Sequence, residues 1–450
     1  AHWRHARWLG IPVLEHSPSP GDTAIWIDAL FGIGQSRAPG EFLESLLEQR
    51  HQQQPDQLIA IDGPTGLCAD RGILLGRCAA RASLSLSIGL LKRGFLQDSA
   101  LTWVGQLERI DLGLPESLLA SLPGQTPRAL HASDLQALPF AATNPAASKY
   151  QRGRLLVVAG SNAYRGAAQL CLLGATASGV GSLRAALPTA LAEQLWMVQP
   201  HVVISAALAD NGSGGLALAG LPAAALERLD VVVIGPGLGP ERPEPAPQPH
   251  RREQAEEEAW QHLQDFPGLL VVDADGLNRL SSNRVSTNPA TTASQWLRAR
   301  QGPTWLTPHG GEFQRLFPNL AQLPPLEAAA AAAAEASDQQ PCSVLLKGAR
   351  TVVAAADGRR WQLCSASPAA ARAGLGDVLA GYAGGLAAMG AAGDRHGYAH
   401  SHARSDAALL ACAALAHASA GERCASEHGS GGATPMAVAN ALQQLTLQQT

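Results

Sequence analysis

An aspartate preceded by two glycines opens the apolar stretch DVLAGYAGGLAAMG, in the run Ala373-Gly374-Leu375-Gly376-Asp377. Two glycines ahead of a helix let bare backbone N–H groups approach a phosphate, and the helix dipole favours its negative charge. Asp377 has two readings. It is either a first-turn acid that stabilises the helix, or a general base that takes a proton from a hydroxyl as a phosphoryl group arrives. The two glycines favour the base.

Other runs of the right residue types share this pattern. Lys347-Gly348-Ala349-Arg350-Thr351 ends the apolar run SVLLK, where a lysine, turn amides and a hydroxyl can meet phosphate oxygens. Alone, it reads better as a surface lysine beside a hairpin turn. Gly235-Pro236-Gly237-Leu238-Gly239 follows VVVI and offers close backbone approach to a ligand, or only a turn. His309, in Thr307-Pro308-His309-Gly310-Gly311-Glu312, is placed to face a cleft, although a lone histidine is more often structural or solvated. Asp273-Ala274-Asp275-Gly276-Leu277-Asn278 ends LLVV with two acids and an amide. These can orient substrate or meet the Mg²⁺ that accompanies nucleotide phosphates, while Asp275 also reads as a turn residue. Gly160-Ser161-Asn162-Ala163-Tyr164-Arg165-Gly166-Ala167 joins a strand to a helix but lacks the lysine of a P-loop.

Such side chains need strand ends to hold them. The runs AIWIDALFGIG, LIAIDGPTG, RLLVVAGSN, DVVVIGPGLG, GLLVVDADGLN, PTWLTPHGGE and SVLLKGART are mostly continuous apolar stretches closing on glycine turns, as in strands covered on both faces. Helices are expected between them, at Gly166–Ala177, Ala190–Val198, Asp377–Met389 and the alanine run 328–334. Their alternation predicts parallel α/β sheets in two domains, 1–118 and 128–450, separated by a Pro-, Ser- and Ala-rich stretch. The segment 240–258 reads as a surface insertion entering a helix. The segment 393–405 reads as a polar loop whose His396, His400 and His402 lack acidic or cysteine companions at metal spacing.

Bulk composition narrows the class. The 450 residues are 46% hydrophobic and 16% charged with a net charge of −4, which gives no reason to expect nucleic acid or membrane as a partner. Seven scattered cysteines without a C-x-x-C pair argue against disulfides and zinc, and for the cytoplasm. The first residues lack the apolar stretch of a signal peptide. The most membrane-like run, 378–393, is shorter than the ~20 residues a spanning helix needs.

Taken in order, GSNAYRGAA, GPGLG, VVDADGLN, LTPHGGEF, LLKGART and GLGDVLAG resemble the ADP/ATP-dependent NAD(P)H-hydrate dehydratases, relatives of ribokinase. Residues 22–115 resemble the NAD(P)H-hydrate epimerase domain of bifunctional repair proteins, through DALFGIG (28–34), DGPTG (62–66) and LKRGF (91–95). The resemblance implies two three-layer αβα domains, an incomplete Rossmann-like one followed by a ribokinase-like one. It implies that Asp377 is catalytic, that Lys347, Gly348, Ala349, Arg350, Thr351 and Gly376 contact ADP or ATP with Mg²⁺, and that Ala167, Gly237, Gly239 and His309 line the hydrate site.

For the first domain the resemblance implies substrate contacts from Gly32, Ile33, Gly34, Gln35, Ser36, Arg37, Ala38 and Asp62, and K⁺ at Asp28 and Thr65. The family's NNGGDG-type loop has no counterpart here, which predicts loss of epimerase activity if nothing precedes Ala1. Leu375 stands where the family has Thr or Ser, and Gly310 where it has Pro. The partners implied are the hydrate and further copies of the chain. A ribokinase-like kinase of a small alcohol is the alternative enzyme, and a nucleotide-sensing protein without chemistry is the alternative from another class.

Overall fold

The computed structural model describes residues 2–136, 146–240, 249–282, 291–366, 371–395 and 407–449. They fall into two compact units, Ala1–Leu122 and Pro123–Thr450. In the first, β1 (Trp26–Asp28), β2 (Leu58–Ile61), β3 (Leu84–Ile88) and β4 (Gln106–Ile110) pair in that order, all parallel. One apolar cluster joins Leu47 of the helix Glu41–Gln53 to Leu58 and Ala60; another gathers Leu67, Phe95, Ala100 and Val104. The first run departs from the expectation of cover on both faces. Ile27 is 67% exposed, and Leu30, Phe31 and Ile33 beyond it are exposed as well. β1 is the edge of this sheet, so its hydrophobicity does not report burial here.

The second unit holds a ten-stranded sheet. Its strands are β5 (Arg128–Leu130), β6 (Arg154–Val158), β7 (Ser182–Pro188), β8 (Val203–Leu208), β9 (Val231–Ile234), β10 (Leu269–Val272), β11 (Thr304–Leu306), β12 (Cys342–Leu346), β13 (Val352–Ala354) and β14 (Arg360–Leu363). Spatial order is β5-β14-β13-β12-β11-β10-β9-β6-β7-β8. All neighbours are parallel except β12–β13 and β13–β14, where tight turns return the chain antiparallel. Alternate strand residues enter opposite cores. Leu155, Val157, Val231 and Val233 pack on one face, and Leu156, Val158, Val232 and Ile234 on the other, which makes the unit three-layered.

Strand order fixes where a ligand can sit. β6 is flanked by β7 on one side and β9 on the other, so connections leave in opposite directions and a crevice opens beyond the carboxyl ends of β6 and β9. The turns 160–164 and 235–239 lie there, joined by the Gly160 N–H donating to the Pro236 carbonyl (2.8 Å). Above the sheet, the helix Leu375–Arg395 packs against the helix Arg165–Ala177. The crossing is made by small residues. A Cβ on Gly174 would meet the Val378 backbone, and one on Gly381 would meet the Cys171 carbonyl. Backbone cannot yield as a side chain tip can. Gly381→Ala is therefore expected to cost about 2–3 kcal/mol of stability, read as a lower urea midpoint with an unchanged m value.

Two local expectations, at 190–198 and 393–405, are corrected. Ala190–Val198 is not one helix: Thr189–Ala192 is helical and Leu195–Met197 is a separate 3-10 turn. Trp196, Met197 and Val198 are exposed, so no buried stripe holds a longer helix together. The polar segment beginning at 393 is helical through Arg395, and His396, His400 and His402 lie outside the described residues. The segment 240–258 enters the helix Pro249–Asp265, which buries Trp260 and Leu263; residues 241–248 lie outside the described residues. All seven cysteines are free. Among the described residues no helix is long and apolar enough to cross a membrane.

Candidate active site

Asp377 lies in the first turn of the helix Leu375–Arg395, after Gly374 in a left-handed conformation (φ 89°) that suits glycine. First-turn amides have no partner inside their own helix. Burial pushes the Asp377 carboxyl up to about 7 from its ordinary 3.8; the negative charge of Asp273 adds to this and Lys347 opposes it. A carboxyl near 7 is matched to general-base work at neutral pH. Leu375, in the position of the family's hydroxyl residue, is 3% exposed and belongs to the apolar core. It closes the turn from behind by packing.

The lysine turn and the histidine segment converge on this aspartate. Lys347 directly follows β12, and its amide donates to the Pro308 carbonyl (2.8 Å), which sets it beside His309. Its Nζ donates to Asp273 Oδ1 at 2.7 Å, and the same oxygen accepts from Thr307 Oγ1 at 2.8 Å. Burial draws the Lys347 pKa down, but the charges of Asp273 and Glu312 outweigh it and hold the ammonium above its usual range. A Cβ on Gly376 would lie 3.4 Å from Lys347 Nζ, so the glycine turn runs directly past the ammonium. Gly348 and Ala349 are exposed, whereas Arg350 is buried and spends its Nε on the Cys364 carbonyl (2.9 Å). Thr351 Oγ1 donates to the Gly348 carbonyl at 3.4 Å.

His309 occupies the N-cap of the helix Gly310–Leu316. Its Nδ1 accepts from the amides of Gly311 (3.0 Å) and Glu312 (3.4 Å), so a ring proton resides on Nε2, 3.3 Å from Glu312 Oε1. The ring is more than half exposed. Capping and an exposed ring edge are thus both present. Burial raises the Glu312 pKa, against the pull of Lys347.

The opposite wall is the turn after β9. Gly237 leaves no room for a side chain: a Cβ there would press on Ala167 Cβ at 2.6 Å and on Tyr164. Two of the residues assigned to the hydrate wall are therefore adjacent. The Gly239 amide donates to Asp275 Oδ2 (2.9 Å), and Arg279 Nη2 donates to the Leu238 carbonyl (3.3 Å). Asp273 sits at the N-cap of the helix Ala274–Ser281 and Asp275 in its first turn, in place of the open turn considered from sequence.

In the N-terminal unit, Asp28 and Thr65 meet across adjacent strand ends. The Thr65 amide and hydroxyl each donate to the Asp28 carboxylate at 2.7 Å. Gln35 bridges Gly32 and Pro64 through their carbonyls and accepts from Gly66, while Ile33, Gly34, Ser36, Arg37 and Ala38 are exposed. Asp62, at φ 60°, accepts from Lys92 Nζ at 2.6 Å; Gly32 lies close to it.

Among the described residues no group of three or more His, Cys, Asp or Glu is disposed to hold a metal. One oxygen of Asp273 is already taken by Lys347 and Thr307, and Asp28 and Thr65 satisfy each other. Sequence reasoning gave no role to Thr307, Glu312, Lys92 or Arg315. The first three sit inside quoted motifs, whose polar residues were the available signal. Arg315 shows itself only through its contact with Asn278.

The fold of the second unit is ribokinase-like, as two of the solved structures similar to it show. A ribokinase-like superfamily protein of Enterococcus faecalis gives a TM-score of 0.54 at 20% identity over 72% of this chain and 96% of that one. An ADP/ATP-dependent NAD(P)H-hydrate dehydratase of Bacillus subtilis, co-crystallised with ATP/Mg²⁺, gives 0.54 at 24% over 72% and 99%. The profile described as NAD(P)H-hydrate dehydratase matches residues 155–444, and the one described as YjeF-related protein N-terminus matches 1–94. The chain belongs to the NAD(P)H-hydrate dehydratase family, in the two-domain form of the bifunctional NAD(P)H-hydrate repair enzymes. Among these, the Gloeobacter violaceus protein is 39% identical over 83% of this chain and 68% of its own length, and the Synechocystis one 36% over 86% and 68%.

Proposed function

We propose that the chain returns the S form of NADH or NADPH hydrate to the reduced cofactor, using ADP or ATP to turn a poor leaving group into a good one. Asp377 takes the proton of the C6 hydroxyl, and that oxygen forms a bond to the terminal phosphorus while the bridging P–O bond to AMP (or ADP) breaks. The first-turn amides around Gly374–Gly376 receive the developing charge, worth ~3–4 kcal/mol by analogy with an oxyanion hole. The C–O bond then breaks, phosphate leaves with the hydroxyl oxygen, and loss of the C5 proton restores the double bond. Lys347 and the turn through Gly348, Ala349, Arg350 and Thr351, together with Gly376, hold the nucleotide, Arg350 by its backbone since its side chain is committed. Ala167, Gly237, Gly239 and His309 hold the hydrate. Mg²⁺ enters bound to the nucleotide phosphates and offsets their charge.

The observation that carries this reading is the Asp377 carboxyl, raised to about 7 and set beside Lys347. The small-alcohol kinase alternative is not favoured by the family match. NADH hydrate incubated with the protein and ADP regains the absorbance of reduced nicotinamide and releases one phosphate per cofactor. Accumulation of a stable phosphate ester without that absorbance would return the kinase. For the N-terminal unit we infer an epimerase-type site centred on Asp62 and Lys92. K⁺ would be held there by Asp28 and Thr65, whose side chains bond each other. Association of the chain with further copies is tested by sedimentation.

A further inference from the structure

The hydrate required above is a dinucleotide, so it brings the two negative charges of a pyrophosphate to the cleft. Among the described residues, Asp273, Asp275 and Glu312 act on Asp377 there beside the Lys347 ammonium, which is itself paired with Asp273. On the hydrate wall, His309 spends its Nδ1 on two amides of the helix it caps, and Ala167, Gly237 and Gly239 have no charged side chain.

Beside that wall the Arg279 guanidinium is buried and paired with Glu256, and a second guanidinium is fixed beside the same wall. Arg315 lies in the last turn of the helix that His309 caps, and it is exposed. Its Nε donates to Asn278 Oδ1 at 3.0 Å, Asn278 Nδ2 donates to Asp275 Oδ1 at 3.2 Å, and Asp275 Oδ2 holds the Gly239 amide at 2.9 Å. Its Nη1 is 3.8 Å from where a Cβ on Gly311 would stand, so the fork lies over the turn that begins at His309. Among the described residues neither Nη has a hydrogen-bond partner. A solvated arginine has no need of a tether. This one is held by Nε alone, which fixes the plane of the fork and leaves the two terminal nitrogens for a paired-oxygen anion.

We propose that Arg315 is the phosphate anchor of the hydrate site, gripping the dinucleotide's pyrophosphate while Asn278 holds the guanidinium plane. This rests on the function proposed above. In the full chain, Arg315→Gln is expected to raise the KM for NADH hydrate about tenfold, roughly 1.4 kcal/mol of binding. The KM for ADP should stay within twofold, and Arg315→Lys, which keeps the charge and loses the fork, should fall between. Added salt should raise the wild-type KM more steeply than that of the glutamine variant. The hydrate of dihydronicotinamide riboside, which has no phosphate, should be used equally well by wild type and variant. Equal losses on both hydrates would make Arg315 a brace for the helix, and a loss confined to the KM for ADP would place it on the nucleotide; either result overturns the proposal. If wild type dehydrates neither compound, the proposed function fails, and Arg315 is judged by NADPH binding alone: an unchanged Kd in Arg315→Gln overturns the anchor as well.

Discussion

Asp377→Asn should lower dehydratase turnover about a thousandfold or more while making the protein more resistant to heat at pH 8. The two effects have one cause. A general base is worth ~10²–10⁴ in rate, and the amide cannot accept the hydroxyl proton. The folded-state pKa of Asp377 is raised from 3.8 to about 7, so the fold binds this proton more tightly than the unfolded chain does. Its contribution to stability is then best below the unfolded value and declines as pH climbs through the folded one. Above pH 7 the buried charge carries its full penalty, which asparagine removes. The gain in melting temperature should be larger at pH 8 than at pH 5. A variant that loses activity by unfolding would melt lower, and a variant with near-normal turnover would remove Asp377 from the chemistry.

Lys347→Met should act in the other direction on the same charges. Asp273 is 1% exposed, and the lysine is its ionic partner at 2.7 Å. Removing one member of such a pair leaves a buried carboxylate held by the Thr307 hydroxyl, at a cost of about 3 kcal/mol in urea-monitored unfolding. Lys347 also opposes the upward shift of Asp377. With it gone, the acid limb of kcat/KM for hydrate, expected near pH 7 in the wild type, should move to higher pH. An unmoved limb would mean that the titrating group is not Asp377.

Most of the chemistry-bearing motifs were readable as strand ends closed by glycine, and that of Asp377 as two glycines opening a helix, local patterns with local causes. All seven apolar runs are strands, and Asp377, Lys347 and the His309 segment do converge. What was not readable depends on contacts distant in sequence. The Lys347–Asp273 pair spans 74 residues, and strand order alone brings β10 and β12 to opposite sides of β11 with both site residues at the same end. Hydrophobicity misled where burial did not follow it, at Ile27 on the edge strand and at Trp196–Val198. Leu375 shows the converse. By motif it is a hydroxyl lost, and in the fold it is an apolar side chain gained by the core.

The fate of one oxygen tests the mechanism most directly. NADH hydrate prepared in oxygen-18 water carries the label at C6. Phosphorylation of that hydroxyl followed by elimination must deliver the label into the phosphate released from ADP, one atom per NADH restored. Label found in bulk water, with none in phosphate, would show that the hydroxyl departs unphosphorylated and would contradict the role given to Asp377.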